Sequence, residues 1–327
     1  MIMKTFFIKA VCFIVLFLYC GTVFAQEKRE RHSTVDITCS TTLSRLKLNE
    51  LVFAHHEIIS DLVWRHPCAA SMNFGLTVKL KQGFSLCAAV KFFPTEQKML
   101  LTDSDFSDGF RWSYSEHPTV LHDSFLVHAA LGWRFFIKDF QTKKTLNALY
   151  IEPAVVCIFH ALHFEAADGY QESFPNYKAH KDKTTKQIRY FNGPAISYQL
   201  QFFSTQAVLN FYGHIGTDLE IKSGFGFGVY SKALSLDHHI ERREKFYDMF
   251  NFYVFLFSAN AQLQYFIGRG FGVFVGSDFL YSSSKYGKTI HYDYTKELIN
   301  ELPHGSSGIR YMRFDFNFGM VFRLFSW

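Results

Sequence analysis

Proline and cysteine are sparse in this chain, and past its first 25 residues no stretch is long and apolar enough to cross a membrane as a helix. Seven Pro and six Cys are spread over 327 residues. The longest apolar candidate, Ala154 to Phe164, contains two histidines and falls well short of the roughly 18 residues a spanning helix needs. A helical membrane protein is thereby excluded. No two cysteines form a CxxC pair and no Cys/His spacing suits a structural zinc, which removes dithiol redox and zinc-ribbon classes. A net charge of +5 is modest for this length and does not suggest nucleic acid. There is no internal repeat and no low-complexity tract.

Aromatic residues are abundant: 39 Phe, 17 Tyr and 4 Trp, far above ordinary globular usage. The N-terminus has its own logic. Lys4 and Lys9 precede an unbroken apolar run from Ala10 to Tyr19, and Val23 and Ala25 supply small residues before Gln26. That is the pattern of a secretory leader over residues 1–25; a lipoprotein reading through Cys20 meets a poor lipobox in Leu18 and Tyr19. One domain is then expected over residues 26–327. Four cysteines remain, Cys39, Cys68, Cys87 and Cys157, expected as small buried or lipid-facing hydrophobes.

Period-two alternation carries the fold. In "YMRFDFNFGMVFRLFSW", Met312, Phe314, Phe316, Phe318, Met320, Phe322 and Leu324 share one face, with Arg313, Asp315, Asn317, Gly319 and Arg323 on the other. Phe271, Val273, Val275, Phe279 and Tyr281 repeat the pattern, as do Tyr198, Leu200 and Phe202. A β-sandwich also alternates, but its strands usually run about five or six residues, and these run longer. An apolar face that needs lipid and a polar face that needs water are served together only by a closed barrel, with no backbone group left unpaired in hydrocarbon. The expectation is an all-β, transmembrane, antiparallel up-and-down barrel of about ten strands. Its polar segments, residues 168–186, 237–248 and 282–308, read as long extracellular loops. A barrel of that size fills its interior with side chains and is not a wide pore.

Acids and histidines recur at strand spacing. Asp237 and His239 in "SLDHH" lie two apart, on one face of a strand, where a carboxylate can hold an imidazole. Asp103 and Asp105 in "LLTDSDF" do the same, and two close carboxylates raise one another's proton affinity. "RWSYSEHP" places Ser115 near His117. Each pattern alone is ordinary on a barrel rim. His238 and His239 with nearby acids do not make a recognised zinc ligand set, so no metal is assigned.

Together and in order they resemble the omptins, outer-membrane endoproteases on ten-stranded barrels. The resemblance rests on "LLTDSDFSDGFRWSYSEHPTVLHDSFLVHAALGW", with its Asp-x-Asp-aromatic, Trp, Ser-x-His-Pro and strand ending Gly-Trp. It rests also on "TLSRLKLNELVF" followed by "SDLVWRH", and on "SLDHH" where omptins carry Asp-x-His. It covers about residues 41–327. It implies a peptide hydrolase in the outer membrane with its site facing the cell exterior, acting on polypeptides at the cell surface. Asp237 would orient and charge His239, which takes a proton from water, while Asp103 and Asp105 position that water; no acyl-enzyme forms. Ser115 and His117 would support the site on the substrate side, and Glu50 would be one of two acids that select Arg or Lys. The second acid falls on Ser235, which is neutral, so the resemblance leaves the basic preference weakened or altered. It implies no cofactor and a monomer. Omptins need lipopolysaccharide, bound by basic loop residues, and which Lys and Arg would do so here is left open. The competing reading is a degenerate barrel that acts as an adhesin or receptor through its loops.

Overall fold

Inward and outward residues alternate along nearly every element of the computed structural model, and that alternation closes the chain on itself. The structure describes residues 33–326 apart from 81–82, 95, 143–144, 178–180, 182, 217, 252–254 and 269. The leader assigned to residues 1–25 and the terminal Trp327 lie outside the described residues.

The described elements are sixteen strands. They are β1 (Thr34–Ala54), β2 (Glu57–Lys79), β3 (Phe84–Phe92), β4 (Gln97–Ser107), β5 (Phe110–Trp133), β6 (Phe135–Thr142), β7 (Thr145–Ala167) and β8 (Tyr170–Ser173). They continue with β9 (Gln187–Tyr190), β10 (Pro194–Ile215), β11 (Leu219–His239), β12 (Glu244–Asn251), β13 (Phe255–Phe266), β14 (Phe271–Asp293), β15 (Leu298–Glu301) and β16 (Ser307–Ser326). The segments exceed the ten expected because several are pieces of one barrel stave. β3 and β4 both lie between β2 and β5, and β12 and β13 both lie between β11 and β14. β6 prolongs β5 along β7, β8 prolongs β7 along β5, β9 leads into β10, and β15 precedes β16 along β14. Joined this way, the sixteen strands make ten staves. The ring closes where β1 pairs β16 from Thr34↔Ser326 to Val52↔Ser307. A closed ring leaves no strand edge unpaired, which is the condition for spanning lipid with strands.

Staves of more than twenty residues are about twice what a bilayer requires, so half of each stands above it. Much of the polar segments read as loops is therefore strand. β11 continues through His239 and β12 restarts at Glu244, while β14 runs to Asp293. Hydropathy cannot tell a water-bathed strand from a loop when both faces are polar. Lower down, Phe314, Phe316, Phe318, Met320, Phe322 and Leu324 are exposed on the outer surface, as the C-terminal alternation predicts.

The interior is layered. In the lower half Asp315 is held by Lys91, by Arg313 Nε at 3.0 Å and by Ser44 Oγ at 2.7 Å, and Asn317 joins Thr42 and Asp278. Above this lies an apolar layer around Trp64, including Leu48, Leu101, Phe164, Tyr198 and Phe250. Above that, at the mouth, come the acids. The four described cysteines are free, Cys68 exposed and the others half-buried.

Candidate active site

On β11 the inward positions near the mouth are Ala233, Ser235, Asp237 and His239, all buried. Period two brings the last two side chains together: His239 Nε2 lies 2.6 Å from Asp237 Oδ2. Burial alone would lower the imidazole's proton affinity, but the charge of Asp237 and its hydrogen bond outweigh it and leave the His239 pKa raised. Phe246 on β12 sets its edge against the ring at 5.6 Å, limiting its rotation.

Across the barrel, β4 carries Asp103 and Asp105, paired in register with Leu62 and Ser60 of β2. Asp103 is buried and accepts a hydrogen bond from Ser60 Oγ at 3.2 Å. Burial first, and then the charge of Asp105, push its pKa up to about 7, against the pull of His239 and Arg242. Asp103 and His239 line one cleft with Ser115 and His117; Gln171, Arg189 and Phe191 reach it from the β8–β9 hairpin and Glu241 and Arg242 from the turn after β11.

Ser115 and His117 are bound to each other, Oγ to Nε2 at 3.1 Å, and His117 Nδ1 meets the Asp168 carbonyl oxygen at 2.5 Å. These partners assign the proton to Nδ1 and make Nε2 the acceptor of the Ser115 hydroxyl. Phe191 leans on the His117 ring at 5.0 Å. The turn that presents Asp168 depends on Gly169, at φ +100, where an added Cβ would fall 2.1 Å from the Glu116 carbonyl oxygen. Gly169→Ala is expected to destabilise the fold by about 1–3 kcal/mol and to loosen His117. Denaturant titration of the refolded barrel reads the first, and a change below about 0.5 kcal/mol would remove the constraint.

Glu50 on β1 and Ser235 on β11 are buried, as their inward positions require. Glu50 lies among Asp237, Asp248 and Asp103, and burial followed by those three charges holds its pKa well above the carboxylate range. Thus the structure gathers all eight sequence-predicted positions at one mouth: Asp103, Ser115, His117 and His239 on the cleft wall, Asp237 bonded to His239, Asp105 beside Asp103, and Glu50 and Ser235 behind Asp237.

Sequence reasoning missed Asp248 of β12 and the pair Arg189–Glu241, whose Nη2 and Oε2 lie 2.6 Å apart between β9 and the turn after β11. Asp248 left a signal: in "KFYDMF" it takes the inward face with Phe246 and Phe250, an acid on an otherwise apolar stripe. Pairs between distant segments, such as Arg189–Glu241, leave none. Among the described residues no group of three or more His, Cys, Asp or Glu is arranged to hold a metal ion.

A closed, strand-only barrel with a buried Asp–His pair facing a second acid across a narrow mouth is the class of molecule these features define. The omptin family model matches residues 32–324, and the chain belongs to the omptin family. No curated protein matches the sequence. Among solved structures the chain is similar to the outer membrane protease OmpT from Escherichia coli, with a TM-score of 0.72 and 16% identity over 91% of this chain and 98% of that one. The translocator domain of the autotransporter NalP from Neisseria meningitidis aligns over 97% of this chain and 98% of its own, at 7% identity and a TM-score of only 0.26. The OmpT likeness is one of fold: an antiparallel barrel of the omptin kind.

Proposed function

We propose that this barrel is an outer-membrane endopeptidase in which His239, oriented and charged by Asp237, activates a water against a peptide bond. The observation that carries the reading is the 2.6 Å contact between His239 and Asp237, facing the buried Asp103 across one cleft. The water gives its proton to Nδ1 of His239, since Nε2 is occupied by Asp237. The imidazolium so formed is stabilised by Asp237 and by the negative charge of Asp103 opposite it. Asp103, with Asp105 beside it, holds the water from the facing wall by accepting a hydrogen bond from it. The chemistry needs only these groups and a water. Ser115 and His117 brace the wall against which the substrate lies. In this reading residues 1–25 are the export leader, residues 26–327 form one monomeric barrel, and the cleft faces the cell exterior, where polypeptides reach it.

The pH profile tests the base. His239 acts when neutral, and its raised pKa places the acid limb of kcat/KM above the ordinary histidine value of about 6.5. Activity should rise with pH through that limb. Asp237→Asn removes the charge that lifts the pKa, leaves burial to dominate, and is expected to move the limb downward while lowering the plateau. A limb that stays in place in folded Asp237→Asn would take the base role away from His239. Asp103→Asn separates the carboxyl that titrates near 7 from the imidazole.

The Ser115–His117 contact supports a second route, an acyl-enzyme on Ser115. Ser115→Ala distinguishes the two. It retains most activity if water is the nucleophile and abolishes it if Ser115 is.

A further inference from the structure

At the mouth one strand edge lacks a neighbour. Among the described residues β9 pairs only with β8, whereas β10, which continues it, is paired on both sides by β7 and β11. The reason is length. The β11–β12 hairpin turns over at residues 240–243, and Ile240 N–H to the Ala195 carbonyl oxygen, at 2.9 Å, is its uppermost backbone bond to this stave among the described residues. Above Ala195 the edge runs on as β9 with no strand beside it. Alternation says which groups that edge offers. Phe191 N–H donates to the Gly169 carbonyl oxygen at 3.0 Å, so Arg189 and Gln187, in step with Phe191, turn their backbone groups toward β8. Ile188 and Tyr190 turn theirs to the open edge. On the far side of β8, Phe174 N–H donates to the Trp112 carbonyl oxygen at 2.8 Å, which is the same phase.

This edge adjoins the cleft that holds His239 and Asp103. All of β9 is exposed, and Ile188 and Tyr190 present their side chains outward, 52% and 74% exposed. Arg189 and Phe191 point the other way and line the cleft. Three contacts fix the strand there. Arg189 Nη2 meets Glu241 Oε2 at 2.6 Å, and Phe191 leans on His117 at 5.0 Å. Gln171 Nε2, opposite Arg189 on β8, donates to Ser113 Oγ at 2.8 Å. An open edge of alternating donors and acceptors is a template for another extended chain, and this one carries no Pro and no bulge to discourage it. An extended peptide added here takes the place that the short β11–β12 hairpin leaves empty. The chain that continues from it enters the cleft beside His239.

Resting on the peptidase reading of the cleft, we propose that β9 is the docking edge for the substrate backbone: an extended segment of polypeptide adds to it as an antiparallel strand, bonded to the N–H and C=O groups of Ile188 and Tyr190. Main-chain bonds of this kind supply affinity without reading side chains, so the edge selects conformation and not sequence. The substrates it admits are unfolded or loop segments with free backbone N–H groups. A segment already paired in a helix or sheet has none to give and is refused. Ile188 and Tyr190 are positioning residues in this scheme, and they take no part in the bond cleavage.

The test uses the refolded full chain in detergent with lipopolysaccharide. One arm measures, by fluorescence anisotropy, binding of a dye-labelled library of linear peptides whose central amide is reduced and cannot be cut. The other arm measures apparent kcat and KM on the cleavable library. Each library is made twice, with ordinary flanking amides and with those amides N-methylated, which removes the donors and keeps the side chains. Ile188→Pro deletes an N–H on the open edge and none of the β8 ladder, a place where an edge strand tolerates Pro. Wild type is expected to bind the ordinary library at least about tenfold more tightly than the N-methylated one. Ile188→Pro should weaken binding of the ordinary library about five- to tenfold, raise KM to match and leave kcat nearly unchanged. Ile188→Thr keeps the N–H and should match wild type. Heat-modifiable migration on gels confirms that each variant is folded, and the N-methylated library, read on wild type, keeps the question answerable if Ile188→Pro unfolds. A wild type that binds both libraries alike, or a folded Ile188→Pro that binds as wild type does, overturns the docking edge. If wild type favours the ordinary library in binding yet cuts nothing, the peptidase reading falls and the edge stands. If it cuts both libraries equally, the edge falls and the peptidase stands.

Discussion

His239→Ala is expected to lower kcat/KM on a mixed peptide library by at least about a hundredfold, with the barrel still folded. Positioned general bases contribute about 10²–10⁴ in rate, and His239 meets the geometric conditions for one. Asp237 fixes one ring nitrogen at 2.6 Å, Phe246 limits the ring, and the ring reaches a cleft whose far side bears Asp103. The loss should lie in kcat more than in KM, because the imidazole acts on water and not on the peptide's flanking side chains. Asp237→Ala should match it closely, and the double variant should be little worse than either single one, since the two residues act as a unit. The assay compares wild type and variants in detergent, with and without lipopolysaccharide. A His239→Ala barrel within fivefold of wild type would end the dyad reading. A folded wild type that cuts nothing in either condition would turn attention to the mouth as a binding surface.

The second large effect concerns the layer beneath the site. Trp64→Ala is expected to cost about 3–5 kcal/mol of stability. Trp64 is fully buried on β2, stacked on Phe164 at 5.3 Å and tilted against Tyr198 at 5.5 Å. Its removal opens a void between the polar lumen and the acids, in a layer whose neighbours belong to five or more staves and cannot collapse inward together. Trp64→Phe should cost far less, because the indole N–H is buried with no partner among the described residues and its loss relieves an unmet hydrogen bond. Denaturant unfolding followed by circular dichroism reads both. A Trp64→Ala value below about 1 kcal/mol would show that the layer is loosely packed.

What could be read without coordinates follows the range of each physical cause. Alternation of period two is local, since each side chain's face is set by its own backbone. The C-terminal strand and the barrel class were therefore legible from the alternate residues Met312 to Leu324. The Asp237–His239 contact was legible for the same reason: two positions on one strand keep their spacing wherever the strand goes. Asp103, Asp105, Ser115 and His117 likewise announce themselves in pairs within a strand. Their meeting across the mouth came from the resemblance, because no local rule sets the distance between β4 and β11.

The staves' upward extension was not legible, since strands bathed in water on one side and lining a polar cleft on the other have the hydropathy of loops. The apolar layer around Trp64 was also hidden: Leu46 and Leu48 sit on the same inward face as Ser44 and Glu50, and nothing in β1 alone says at what height the lumen fills. Asp248 is the clearest case. The sequence by itself determined a barrel, an Asp–His pair on one strand and a neutral residue at position 235. Only the pairing of β11 with β12 decided that an acid stands beside that residue. Charge at a point in space is a sum over strands, whereas sequence spacing records one strand at a time.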